Sequence, residues 1–198
     1  MHIPGSRIDL LQRAETMQKH HAVIIGVGDG LSASLARELS SDHALTLVAR
    51  NGAKMQAVAQ DTNAETVLLA GTDEAAVAAL FSDLLAPPRV VIYNPSARVR
   101  GPIAELSVDQ VRNAVEVTAM GAFVAGKHAA RRMLEADPID GKRGTILFTG
   151  ASAGLKGFPQ SAPFAMGKFA QRGPAESWRV NSIPRAFTLY GSTSTAGS

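Results

Sequence analysis

Short β-branched runs alternate with stretches of helical period along most of the 198 residues, and few folds accept that rhythm. The spacing predicts strands near 21–26, 44–50, 65–70, 89–94 and 144–149. Helices are predicted near 30–40, 52–60, 73–86, 107–136 and 161–177. Strands that alternate with helices must run parallel, joined by right-handed crossovers and covered on both faces. Burial on both faces demands near-continuous apolar strands, as in His21-Ala22-Val23-Ile24-Ile25, Leu45-Thr46-Leu47-Val48 and Arg89-Val90-Val91-Ile92-Tyr93. The fold class implied is α/β, a doubly wound parallel sheet of the Rossmann type. No repeat or low-complexity linker divides it.

Where the first predicted strand meets the first helix the chain reads Gly26-Val27-Gly28-Asp29-Gly30-Leu31-Ser32. Glycines there let backbone N–H groups approach a pyrophosphate, and the helix N-terminus favours its negative charge. Gly26 and Gly30 fit the spacing Gly-x-x-x-Gly-x-Gly, while the third glycine is replaced by Ser32. The expected dinucleotide contacts are therefore Gly26, Gly28, Gly30, Leu31 and Ser32. A strand-to-helix turn that is merely glycine-rich is the bland alternative, and the position between strand and amphipathic helix argues against it. The second strand ends Val48-Ala49-Arg50-Asn51, where such domains meet the adenosine ribose. No acid is present to hold a free 2′-hydroxyl, and the guanidinium fork of Arg50 suits a 2′-phosphate, so NADP(H) is favoured over NAD(H).

Composition narrows the function classes. Apolar residues are 45% and charged residues 19% of a chain with no cysteine, which removes disulfides, thiolate metal sites and a cysteine nucleophile. With no apolar run near the roughly 18 residues of a membrane span, the expectation is a soluble protein, cytoplasmic by default. A net charge of +3, with no basic cluster larger than Arg131-Arg132, argues against a nucleic-acid partner. His20, His21, His43 and His128 lack metal-ligand spacing, so no metal is expected. The first residues lack the features of a signal peptide. Residues 1–19 read as an extension, with Met17 as an alternative start.

The glycine loop, Arg50, Tyr93-Asn94-Pro95-Ser96 after the fourth strand, and Gly144–Gly154 leading to Lys168 together resemble the short-chain dehydrogenase/reductase family, over residues 20 to about 177. The resemblance implies an NADP(H)-dependent oxidoreductase acting on a small carbonyl or alcohol, and a homo-oligomer formed through the long helix and the next. It implies that Asn94 braces the central strand and that Lys168 holds the cofactor ribose. In the family a Tyr four residues before that Lys transfers the proton, a Ser polarises the carbonyl and an Asn supports a water relay. Here those positions carry Phe164, Ala151 and Thr118. The acid expected near the adenine is replaced by Ala70, and Asp73 reads as a helix N-cap. The chain has only Tyr93 and Tyr190, and neither precedes a lysine by four. Ser152, one residue along from Ala151, and nearby Ser161 are the remaining hydroxyls, though both suit a loop or cap. The resemblance thus leaves two readings open: an oxidoreductase with Lys168 and Ser152, or a catalytically silent NADP(H)-binding module.

Past Ser177 the helical period and charge pattern fail, and Pro184 is expected to block a sixth strand. Codons compatible with Pro184–Leu189, regrouped one base earlier, read Lys-Gly-Ile-His-Val, the text a family member would carry. Residues 178–198 are therefore expected to be an irregular, frameshifted tail with the later strands missing, which adds a third reading, a non-functional truncated product.

Overall fold

The computed structural model describes residues 19–180 and 185–189. Expectations about Met17, Tyr190 and the rest of the two termini lie outside the described residues.

Six parallel strands form one sheet in the order β3-β2-β1-β4-β5-β6. They are β1 (His20–Ile25), β2 (His43–Ala49), β3 (Glu65–Leu68), β4 (Val90–Tyr93), β5 (Thr145–Thr149) and β6 (Arg185–Leu189). The order reverses between β1 and β4, which pair in the register Ala22↔Val90 to Ile25↔Tyr93. The crevice outside the carboxyl ends of strands at such a reversal is where doubly wound folds bind ligands.

Period-two alternation along β1 builds both halves of the core. Val23 and Ile25 point to one face, with Val91, Tyr93 and Phe148, under α3 (Glu74–Asp83), α5 (Gly121–Leu134) and α6 (Ala162–Val180). Ala22 and Ile24 point to the other, with Leu45, Leu47 and Ile92, under α1 (Leu31–Leu39) and α2 (Ala53–Thr62). Burying each such Val, Ile or Leu contributes roughly 1.5–3 kcal/mol, which is why apolar runs rather than polar alternation specify these strands. Asp73 caps α3 as expected, its Oδ1 accepting the Ala76 N–H at 3.0 Å.

The single long helix expected near 107–136 is three stretches: α4 (Val108–Val115), a π-helical turn (Glu116–Met120) and α5. Inside that turn the Val117 carbonyl accepts from the Tyr93 hydroxyl at 2.6 Å. The phenol enters the helix where Gly121 leaves room, since a Cβ there would collide with it. Such turns are often found at functional positions.

Two sequence expectations are corrected. The later strands are not all missing: β6 pairs with β5 from Thr145↔Arg185 to Thr149↔Leu189. The ladder starts at Arg185, and Pro184 lies outside the described residues. Nor does the helical pattern collapse after Ser177, because α6 continues to Val180. Trp178 is held by packing that a one-dimensional pattern cannot express: its ring lies 5.9 Å from Phe148 and 6.1 Å from Phe123, over Gly126. Among the described residues no helix is long and apolar enough to cross a membrane.

Candidate cofactor and catalytic site

The glycine loop leaves β1 with Gly26 at φ +84°, its N–H donating to Val48 at 2.8 Å. A side chain at Gly26 would be strained and would strike the ring of Pro95. The Asn94 amide donates to the Gly26 carbonyl at 2.9 Å, and its backbone N–H donates to Ile25 at 2.9 Å. Asn94 and Pro95 thus lock the loop from the neighbouring strand. Farther along the loop the surroundings reverse: nothing lies within 4 Å of the Cβ positions of Gly28 and Gly30. Gly30 begins α1 without a side-chain cap. Ser32, 1% exposed, folds back so that its hydroxyl accepts from Gly28 N–H at 2.9 Å and faces its carbonyl at 3.2 Å. Leu31 stands 47% exposed at the same helix start. The result is a braced base, an open rim at Gly28 and Gly30 and a helix N-terminus without a side-chain cap, a cradle suited to a phosphate.

Arg50 is exposed at the end of β2 and makes no hydrogen bond or ion pair among the described residues. Ala70, in the loop after β3, is the residue at the expected acid position. Asn51 turns its Oδ1 back to the Ala53 N–H at 3.0 Å, which leaves Arg50 as the polar group at this corner.

The second group of predicted residues gathers at the ends of β4 and β5, and it is filled. Lys168, on α6, is 4% exposed, and its ammonium donates to the Thr149 carbonyl at 2.6 Å and to Gln171 Oε1 at 3.1 Å. Its pKa is pushed down to about 8, mainly by burial and then by the nearby Arg98 guanidinium. One helical turn earlier, Phe164 is 8% exposed, and the Arg98 guanidinium lies over its ring, 4.4 Å from the centroid. Thr118, fully buried in the π-helical turn, accepts the Ala97 N–H at 3.2 Å. Ala151 leads into a 3-10 turn, Ser152–Gly154. Ser152 is exposed, and its carbonyl accepts from the Leu155 and Lys156 N–H groups in that turn. Ser161 begins α6, accepting from Ala165 at 3.0 Å.

Tyr93, the described tyrosine, cannot stand in for the missing phenol. It is fully buried, bound to Val117, and its pKa is driven far above its usual value by burial, with the Glu116 carboxylate adding to the rise. The histidines are engaged separately: His21 with Thr46, His43 with Asp42, and His128 near Glu74. No three potential metal ligands cluster among the described residues. Sequence reasoning missed Arg98, Gln171 and the part Pro95 plays. Only the spacing of Arg98, four residues beyond Asn94 in a loop leaving the crevice, could have drawn notice.

An open glycine cradle at the β1–β4 reversal, with a buried lysine beside the neighbouring strand end, defines a nucleotide-binding α/β domain. The short chain dehydrogenase family model matches residues 20–189, and the chain belongs to that family. Its fold is close to a short-chain dehydrogenase from Rhodopseudomonas palustris, 30% identical, with 86% of this chain and 84% of that one covered and a TM-score of 0.77. Two more distant structures share the fold. BdcA in complex with NADPH is 22% identical, with coverage of 86% and 68% and a TM-score of 0.74. An actinorhodin polyketide ketoreductase variant with NADPH is 20% identical, with coverage of 88% and 69% and a TM-score of 0.78. None of the curated proteins matches the sequence significantly.

Proposed function

We propose that this chain holds NADP(H) and, in its present form, does not carry out the phenol-dependent proton transfer of its family. The observation that carries the reading is the contrast between a phosphate cradle left open at Gly28 and Gly30 and a proton-transfer position filled by Phe164 beneath Arg98. In this reading Gly26, Gly28, Gly30, Leu31 and Ser32 receive the pyrophosphate. Arg50 pairs with the 2′-phosphate, Asn94 keeps the loop in shape and Lys168 holds the nicotinamide ribose. When bound, the dinucleotide supplies or accepts a hydride. Phe164 has no proton to exchange, and the guanidinium above it offers hydrogen-bond donors only. The NADPH bound to BdcA and to the ketoreductase variant is consistent with the cofactor. Pairing of copies through the long helix is part of the proposal, supported by Met120, Phe123, Met166 and Phe169, apolar yet 42–52% exposed.

A titration of the full chain with NADPH and NADH, followed by nicotinamide fluorescence and then by addition of small carbonyl compounds, tests the reading. Tighter binding of NADPH with no consumption is the expected result. Failure to bind either cofactor overturns it. The exposed hydroxyl of Ser152 favours a second reading, an oxidoreductase in which Ser152 polarises the carbonyl. Steady NADPH oxidation that disappears in Ser152→Ala would select that one.

A further inference from the structure

The departures from the family's proton-transfer set converge on one side chain. Arg98 sits in the loop that leaves β4, and that loop is fixed along its length. Asn94 ties its start to Ile25 and Gly26, the Ala97 N–H is held by Thr118, and the Gly101 N–H donates to the Gln160 carbonyl at 3.3 Å. One of these fixtures, the threonine in the asparagine position, anchors the residue before Arg98, and the phenylalanine in the tyrosine position carries its guanidinium on the ring face. A guanidinium stacked on an aromatic keeps its edge N–H groups free for a ligand while losing much of its rotational freedom.

Charge points the same way. Arg98 is exposed and has no carboxylate partner among the described residues. Its charge reaches the buried Lys168 ammonium, whose hydrogen bonds go to the neutral oxygens of Thr149 and Gln171. Two electrostatically coupled positive groups at the ends of β4 and β5, neither with a carboxylate partner among the described residues, leave an uncompensated potential that a small anion would satisfy.

We propose that Arg98 is the recognition group for a small organic carboxylate held in this crevice, with Phe164 as its platform and Thr118 as the positioning residue of its loop. The inference rests on the reading that the crevice beside Lys168 is the ligand side of an NADP(H)-binding domain. It implies that the position occupied by a proton donor elsewhere in the family serves here to bind an acid group.

The experiment uses the full chain in low-salt buffer and follows thermal stabilisation and calorimetric heat on titration with benzoate and with its uncharged isostere benzamide. Each titration is run with and without NADPH. Benzoate is expected to bind and benzamide not to, in both arms. Arg98→Ala should weaken benzoate about tenfold or more, the scale of a lost charge-assisted contact, while Arg98→Lys loses an intermediate amount because it keeps the charge without the fork. Arg100→Ala should match the parent protein. Equal binding of benzamide, or benzoate binding unaffected in both Arg98 variants, overturns the proposal. So does benzoate binding abolished by saturating NADPH, which would assign the Arg98 charge to a cofactor phosphate. Cofactor binding is read separately by fluorescence, so a chain that binds benzoate through Arg98 but never binds NADPH would sink the cofactor reading alone.

Discussion

The phosphate side and the far side of this crevice are built on opposite plans. Around Gly28 and Gly30 nothing lies within 4 Å of the Cβ positions and α1 starts without a side-chain cap, while the Ser32 hydroxyl holds the Gly28 backbone from the inner side. Around Phe164, Thr118 and Lys168 every side chain is buried against a partner. An open, rigid cradle is what a ligand requires. In the proposed reading, a packed cluster with Phe164 at the phenol's position keeps its shape without the family's proton transfer. The contrast teaches that cofactor binding and family chemistry are separable in this fold, because they lie at the ends of different strands.

The largest break in that comparison is Gly26→Val. The substituent meets Pro95 at a positive φ, so the loop must shift or the fold loosen. We expect a loss of roughly 2–4 kcal/mol in chemical denaturation, together with lost NADPH binding. Unchanged stability would mean that the two strand-end loops are not locked together.

Next comes the buried amine. Lys168 titrates at about 8 in the fold against 10.5 unfolded, so between these values the unfolded chain holds more protons and stability rises with pH. The penalty is fully present below about 8 and gone above 10.5, and amounts to something on the order of 3 kcal/mol. Comparing the parent with Lys168→Met across that window isolates this residue from other titrating groups, and parallel curves would sink the assignment.

A step smaller, Arg50→Ala is expected to weaken NADPH roughly 10- to 100-fold, from charge-assisted hydrogen bonds worth about 1.5–3 kcal/mol, and to leave NADH almost unchanged. Equal losses for both would remove the 2′-phosphate role. Thr118→Val removes the acceptor of the Ala97 N–H and should lower stability by about 1 kcal/mol while selectively weakening benzoate. The smallest expected change is Phe164→Tyr, which should leave carbonyl reduction at background, since Ala151 and Thr118 remain. Turnover restored by this single change would show the far side to be one residue away from the family's chemistry.

How far each region could be read in advance follows from what makes it. Strand and helix positions through Thr149 agree with the sequence periodicity to within a few residues, because Ala22 to Ile25 of β1 are buried alternately on the two faces of the sheet and apolar runs have few alternatives. The glycine cradle was legible for the same local reason: Gly26 needs a left-handed φ that its own residue type announces. The last elements were not. Trp178 breaks the expected pattern yet is accommodated by Gly126, more than fifty positions away, and β6 is held by a main-chain ladder with β5 that side-chain character specifies weakly. The π-helical turn likewise owes its shape to Tyr93 reaching Val117 from another strand.

By itself, then, the sequence determined the parallel doubly wound class, the glycine loop between β1 and α1, the arginine at the end of β2 and the lack of any tyrosine four residues before a lysine. These depend on residue type and short-range spacing, which are one-dimensional properties. Tertiary structure alone decided that Pro95 seals Gly26, that Thr118 holds Ala97, and that Arg98 rests on Phe164 beside an amine bound to Thr149 and Gln171. Each of those contacts joins residues from different strand ends, and only the folding of the sheet brings such ends to one place.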